Sequence, residues 1–182
     1  WKVRSSIMLH SNRELFEQTV LRTADATGIA ASIIEKDYYV TEFLRKLTSY
    51  QPDIVFKGGT SLSKCYKLIQ RFSEDIDLNV EDRPSEGQRK ALKRNIVAVI
   101  DDLDLSLSNA EEIRSRRDYN RYIINYPALQ GAAYLKQQLI VETVVSMRAF
   151  PNHPMDASSL IYDFLKDSGR DDIIREYHLQ PF

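Results

Sequence analysis

Residues 54–62 read Ile54-Val55-Phe56-Lys57-Gly58-Gly59-Thr60-Ser61-Leu62, a short β-prone run that meets two glycines. β-branched and aromatic residues in succession predict a strand, and a glycine pair interrupts it. Apolar residues then recur at helical spacing, at Leu62, Cys65 and Ile69. The stretch therefore predicts a strand, a glycine turn and a helix in immediate succession.

The glycine turn has the composition of an anion-binding site. Gly58 and Gly59 let the backbone approach a ligand closely, and the start of the following helix offers unpaired N–H groups and a positive dipole end. Thr60 and Ser61 add hydroxyl donors, and Lys64 adds a cation one turn later. An ordinary capped turn explains the same pattern, so this segment alone leaves both interpretations open.

The next predicted strand, residues 72–80, carries its carboxylates on one face. Asp75 and Asp77 are two residues apart, which places both on the same side with Cα atoms about 7 Å apart, close enough to share a divalent cation. Ile76 and Leu78 face the other way and indicate a core strand, although a solvated edge strand would also tolerate alternating aspartates. Oxygen ligands suit Mg²⁺ or Mn²⁺. A metal beside a phosphate site predicts nucleotidyl or phosphoryl transfer.

A third carboxylate, Glu142, stands inside the apolar run of residues 139–145. A carboxylate in so apolar a strand must be paired, bound to metal or protonated. We expect Glu142 to share a metal and to help deprotonate the acceptor hydroxyl. A salt bridge to an arginine is the alternative interpretation.

Helical periodicity predicts two N-terminal helices, over residues 11–27 and 31–48. On the second helix Lys36 falls within the apolar stripe and Asp37 at its edge. Either Lys36 snorkels and Asp37 caps a neighbouring loop, or both side chains face a polar cavity. Further predicted elements are a helix over 85–103, a short strand near 103–107, strands over 121–126 and 138–145, and a helix capped by Ser158 or Ser159 that runs to about Lys166.

A basic cluster, Arg114, Arg116, Arg117 and Arg121, is interleaved with Tyr119 and Tyr122. Such a cluster favours contact with an RNA backbone or a triphosphate, with one of the tyrosines stacking on a base. A solvated loop with salt bridges to neighbouring carboxylates is the alternative.

Composition limits the class of protein. The chain has 182 residues, 43% hydrophobic and 28% charged, with one Cys, which is typical of one folded domain without a disulfide framework. No run approaches the roughly 18 apolar residues of a membrane helix. Lys and Arg number 25 against 26 Asp and Glu, a net charge of −1. Any nucleic-acid partner must therefore be held by a local patch.

Three separated segments resemble one known family. They read Ile34-Glu35-Lys36-Asp37-Tyr38, then Gly58-Gly59-Thr60-Ser61-Leu62-Ser63-Lys64, then Arg71-Phe72-Ser73-Glu74-Asp75-Ile76-Asp77-Leu78. Together they resemble the AbiEii/AbiGii abortive-infection toxins, a branch of the polymerase-β-like nucleotidyltransferases. A looser likeness continues through residues 139–142 and 154–162, so the resemblance covers most of the chain.

The resemblance implies an α+β fold, a polymerase-β-like core with a short twisted mixed sheet backed by helices. We expect residues 1–50 to form an N-terminal helical segment packed on a core of residues 51–182, the whole being one compact domain. The family usually continues with a helical region whose Glu-Arg-Thr-Phe-x-x-Lys-like motif is thought to contact the nucleotide. Because this motif does not occur here, we expect a C-terminally truncated or degenerate member.

Residue roles follow from the resemblance together with the patterns above. We expect the triphosphate to be held by Gly58, Gly59, Thr60, Ser61, Lys64 and Ser73. We expect catalysis and metal binding by Asp75, Asp77 and Glu142. The accessory candidates are Lys36, Asp37, Arg71 and Arg116.

The predicted function is that of a Mg²⁺- or Mn²⁺-dependent nucleotidyltransferase, which moves a nucleoside monophosphate from an NTP to an acceptor hydroxyl and releases pyrophosphate. The resemblance implies an RNA acceptor such as tRNA, a cytoplasmic location and the toxin role in a bacterial toxin–antitoxin or abortive-infection system with a cognate antitoxin. A non-catalytic nucleotide-binding or interaction module is the alternative. A kinase that transfers the γ-phosphate is a third hypothesis.

Overall fold

The computed structural model describes residues 7–65, 75–129, 137–146, 149 and 151–182. The helices within these residues are α1 (Arg13–Thr27), α2 (Ala31–Tyr50), α3 (Gly58–Lys64), α4 (Glu86–Asp102), α5 (Leu160–Asp167) and α6 (Asp171–Glu176). The strands are β1 (Ile54–Lys57), β2 (Asp75–Val80), β3 (Ser106–Leu107), β4 (Tyr119–Asn125) and β5 (Gln138–Val144). None of the described helices is both long and apolar enough to cross a membrane.

The strands form one mixed sheet in the order β1-β2-β5-β4-β3. β2 and β5 are parallel, and the other neighbouring pairs are antiparallel. Ile76 and Leu78 of β2 and Val141 of β5 are buried on the face that packs into the core. The predicted α+β class, a short mixed sheet with helices, is thus confirmed.

Three of the described helices, α1, α4 and α5, begin with a side-chain cap. Asn12 accepts a hydrogen bond from the Leu15 amide at the start of α1, and Gly28 ends that helix with φ of 71°. Ser85 and Gln88 form a capping box at the start of α4. Ser159, one of the two predicted caps, starts α5 by accepting from the Tyr162 amide. The sequence does not predict the six-residue α6, because so short a helix shows too few apolar repeats.

Helix α2 is buried all round rather than along one stripe. Every residue from Ile34 to Leu44 is buried, because α1, α4, α5 and β5 all pack against this helix. The core is therefore built around α2, and the charged side chains of that stretch lie inside it. The predicted boundary at residue 50 stays a prediction, since α2 and the sheet share a continuous apolar core.

Candidate active site

Four charged side chains form a row across one face of the sheet. Strand pairing sets Lys57 beside Asp77, Asp77 beside Glu142, and Glu142 beside Arg121. Residues paired in register project from the same face of a sheet. We call this set the charged row (Lys57, Asp77, Glu142 and Arg121). It places two carboxylates in the middle and a cation at each end.

Asp77 lies where negative charge is unfavourable. Partial burial raises the pKa of its carboxyl group above the usual value, and the charges of Glu142 and Asp75 raise it further, against the opposing effect of Lys57. Asp75 stands two residues before Asp77 on β2 and so projects from the same face. The predicted carboxylates are therefore brought together, and a bound cation would relieve their repulsion.

Glu142 is half-buried rather than enclosed in the apolar core. The burial of β5 alternates along the strand, so the apolar neighbours of Glu142 point to the opposite face. The Tyr119 hydroxyl donates a hydrogen bond to Glu142 Oε1 over 2.8 Å. Arg121 Nε lies 3.7 Å from the same oxygen, with half of the arginine side chain exposed. The salt bridge considered from the sequence is thus present, but it is long and open to water, where such pairs contribute little.

The donor set of this face suits a hard divalent cation. Asp75, Asp77 and Glu142 offer only carboxylate oxygens, the ligands that Mg²⁺ and Mn²⁺ prefer. Among the described residues no three His, Cys, Asp or Glu side chains already lie in a ligating arrangement. The chemistry of the donors and the repulsion at Asp77 nevertheless fit the metal that the predicted activity needs.

Gly58 lies directly against Asp77. Its φ of 77° is in the left-handed region, and a Cβ at this position would overlap with Asp77 Oδ2. No side chain fits there unless the Asp77 carboxylate moves. Glycine at position 58 therefore allows both the left-handed backbone turn and the close approach of the Asp77 carboxylate.

Gly58→Ala is expected to lower both stability and nucleotidyl transfer. The left-handed backbone alone costs a non-glycine residue about 1–2 kcal/mol, and the clash with Asp77 adds to it. Gly28→Ala is the matched control, because Gly28 has φ of 71° with nothing within 4 Å of its Cβ position. Thermal unfolding and transfer rates of both variants check this prediction. Equal effects of the two substitutions would contradict a role for the Gly58 contact with Asp77.

The family follows from a match along most of the chain. A family model described as nucleotidyl transferase AbiEii toxin, type IV toxin–antitoxin system, matches residues 42–174. The chain belongs to this AbiEii toxin family. The match includes the glycine turn, β2 and Glu142, and it confirms the resemblance found from the sequence.

Two further comparisons complete this finding. No curated protein matches the chain. Among solved structures, MenT4, a nucleotidyltransferase toxin from Mycobacterium tuberculosis H37Rv, is similar at 20% identity and a TM-score of 0.43. The alignment covers 76% of this chain and 49% of that one, so the chain spans about half the length of MenT4.

In this AbiEii family member, the hydroxyl groups of Thr60 and Ser61 form hydrogen bonds to backbone carbonyl oxygens and so stabilise the glycine turn. Thr60 Oγ1 donates to the Asp75 carbonyl oxygen over 2.7 Å, and Ser61 Oγ donates to the Gly58 carbonyl oxygen over 2.8 Å. Both side chains are buried. Gly59 lies in the first turn of α3. The hydrogen bond of Thr60 ties α3 to β2, and binding of phosphate by these residues stays a prediction.

Lys64 and Asp37 form a buried ion pair away from the surface. Lys64 Nζ lies 2.7 Å from Asp37 Oδ1 and also donates to Thr41 Oγ1. Asp37 Oδ2 accepts a hydrogen bond from the Leu160 amide at the start of α5, so the capping role considered for Asp37 is observed. Lys36 is also buried. The predicted contact of Lys64 with phosphate stays untested, and its ammonium group is enclosed by α2 in this structure.

The structure describes only some of the other residues that the sequence predicts to contact nucleotide or RNA. Arg71 and Ser73 lie outside the described residues. Arg116 is exposed in the loop before β4. Tyr119 is 47% exposed, whereas Tyr122 is 1% exposed. Stacking of Tyr122 on a base, one of the two sequence hypotheses, is therefore wrong, because β4 turns that ring into the core.

Sequence reasoning missed Lys57. This residue ends β1 directly before the glycines and stands beside Asp77 in the sheet. Its charge lowers the pKa of the Asp77 carboxyl. The place of Lys57 directly before the glycines is visible in the sequence, but its proximity to Asp77 depends on the pairing of β1 with β2.

Proposed function

We propose that this chain catalyses the metal-dependent transfer of a nucleoside monophosphate from an NTP to an acceptor hydroxyl. The observation that carries the proposal is the convergence of Asp75, Asp77 and Glu142 on one sheet face. Gly58 adjoins that face, and membership of a nucleotidyltransferase toxin family supports the same chemistry.

Each charged residue of the candidate active site has a distinct proposed role. Asp75 and Asp77 would hold Mg²⁺ or Mn²⁺, and Glu142 would share the metal and accept the proton of the acceptor hydroxyl. Bound metal would neutralise charge on the phosphates and make the hydroxyl more acidic. Lys57, at the end of the charged row, supplies a positive charge for the phosphates of the NTP.

The bond changes are those of an in-line substitution at phosphorus. The acceptor oxygen attacks the α-phosphorus of the NTP and forms a new P–O bond. The bond between the α-phosphorus and the bridging oxygen to the β-phosphate breaks, and pyrophosphate leaves. The hydroxyl proton passes to Glu142. The protein contributes chiefly position and charge.

The proposed biological setting is that of the family. We assign the chain the toxin role of a type IV toxin–antitoxin pair, with RNA such as tRNA as the acceptor and a cognate antitoxin as partner. We place the proposed nucleotidyl transfer in the cytoplasm and assign it a role in abortive infection. These assignments are supported by the family alone.

The test uses NTPs labelled at the α or the γ phosphorus, with RNA as acceptor. We expect α-label on the RNA and release of pyrophosphate, both abolished by EDTA and restored by Mg²⁺ or Mn²⁺. Transfer of γ-label would identify a kinase. NTP binding without any transfer would support the non-catalytic module instead.

A further inference from the structure

Two segments concentrate the positive charge of the chain. Residues 83–94 and 113–121 together contain nine of the 25 Lys and Arg residues but only two of the 26 Asp and Glu residues. The rest of the chain is consequently acidic. The small net charge of −1 is therefore the sum of a strongly basic part and an acidic remainder of the chain.

The fold brings the two segments together. Lys93 Nζ on α4 donates a hydrogen bond to the Ile113 carbonyl oxygen over 3.1 Å. Arg89 of α4 forms an ion pair with Asp118. The two segments line one concavity, to which they contribute the polar residues Arg89, Lys93, Ser115, Arg117 and Asn120. We call residues 83–94 and 113–121 the basic surface.

Most of the positive charge on the basic surface faces solvent. Its exposed cations are Arg83, Lys90, Arg94, Arg114, Arg116, Arg117 and Arg121. Its two carboxylates are already paired, Glu86 with Lys90 and Asp118 with Arg89. Arg114 and Arg117 donate to backbone carbonyl oxygens, which carry no net charge to balance the guanidinium groups. Glu111 and Glu112 border the surface at one end.

The basic surface reaches the candidate active site through the start of β4, whereas Asn120 and Thr143 of the concavity face the opposite side of the sheet from Arg121 and Glu142. Strand β4 starts within it, and Arg121 of β4 stands beside Glu142 in the sheet. Tyr119, exposed on the same strand, donates its hydrogen bond to Glu142. A phosphodiester chain that runs from the loop of residues 114–118 over Tyr119 and Arg121 would therefore reach the carboxylates.

We propose that the basic surface binds the phosphodiester backbone of RNA and so presents the acceptor hydroxyl to the carboxylates. This inference rests on the proposed function, because that function is the reason for the protein to bind RNA. Guanidinium groups match phosphate oxygens with paired hydrogen bonds, and interactions of this kind fix position without reading sequence. Because the rest of the chain is acidic, the RNA is held on this side of the molecule.

The experiment measures binding of a fluorescently labelled tRNA transcript by anisotropy at several KCl concentrations. Arg116→Ala/Arg117→Ala should raise the Kd roughly tenfold and reduce the slope of log affinity against log salt by about 0.7–0.9 for each phosphate that the variant no longer binds. The control, Arg22→Ala/Arg175→Ala, removes two exposed arginines from α1 and α6. We expect it to leave both quantities unchanged.

Parallel assays of α-label transfer by the unsubstituted protein separate this inference from the proposed function. RNA binding that depends on Arg116 and Arg117 without any transfer would support the basic surface and refute the nucleotidyl-transfer proposal. Transfer by the unsubstituted protein, with the same Kd and salt slope in the Arg116→Ala/Arg117→Ala variant, would overturn the basic surface alone. Absence of tRNA binding by the unsubstituted protein would overturn it as well.

Discussion

Asp77→Asn is expected to reduce nucleotidyl transfer by roughly 10³-fold or more, since a metal ligand supplies several kcal/mol of transition-state stabilisation. The substitution keeps the size of the side chain and removes its charge. Asp77 is crowded by Glu142 and Asp75, so loss of its charge relieves repulsion. We therefore expect the melting temperature of the variant to equal or exceed that of the unsubstituted protein.

Transfer is measured with α-labelled NTP over a range of Mg²⁺ concentrations, and stability by thermal unfolding without metal. Asp25→Asn is the matched control, because it removes one carboxylate from the exposed face of α1. It should leave the transfer rate unchanged. Undiminished transfer by Asp77→Asn would refute the assignment of this carboxylate.

The aspartate pair shows what local sequence can predict. The order of strand, glycine turn and helix follows from propensity, and the shared face of Asp75 and Asp77 follows from the two-residue period of a strand. The approach of Glu142 to Asp77 does not follow in this way. It depends on the parallel pairing of β2 with β5, which is set by packing between distant parts of the chain.

Burial is harder to predict than secondary structure. The wheel of α2 turns Lys36 inward, but the burial of the whole stretch from Ile34 to Leu44 results from neighbours on every side. The apolar neighbours of Glu142 in sequence predict that its carboxylate is enclosed. It lies instead on the open face, since alternate residues of a strand face opposite ways.

The role of Lys64 illustrates the same limit. Its position one turn after the glycines predicts a phosphate ligand, yet its ammonium group contacts Asp37 and Thr41 of α2. Those partners belong to a helix that precedes the glycine turn in the chain, and no local pattern links them. Asp37 in turn contacts α5, so the pair joins three helices around the turn.

Lys64→Met is expected to lower the free energy of unfolding by about 3–5 kcal/mol, the usual cost of leaving one partner of a buried ion pair unpaired. Lys64 and Asp37 side chains are only 3% and 8% exposed, so water cannot replace the missing partner. Asp37→Asn should be destabilising for the converse reason. The double variant Asp37→Asn/Lys64→Met leaves neither charge of the pair buried, and it should be clearly more stable than the sum of the single effects predicts.

Urea unfolding of the four proteins in the cycle measures this coupling, and calorimetric titration with NTP and Mg²⁺ measures binding. Lys90→Met is the control, because Lys90 forms an exposed ion pair with Glu86 and its loss should change stability little. Additive effects in the cycle would contradict a stabilising pair. A stable double variant that binds NTP as the unsubstituted protein does would show that Lys64 positions α3. A stable double variant that no longer binds NTP would instead identify Lys64 as a phosphate ligand, as its place after the glycines predicts.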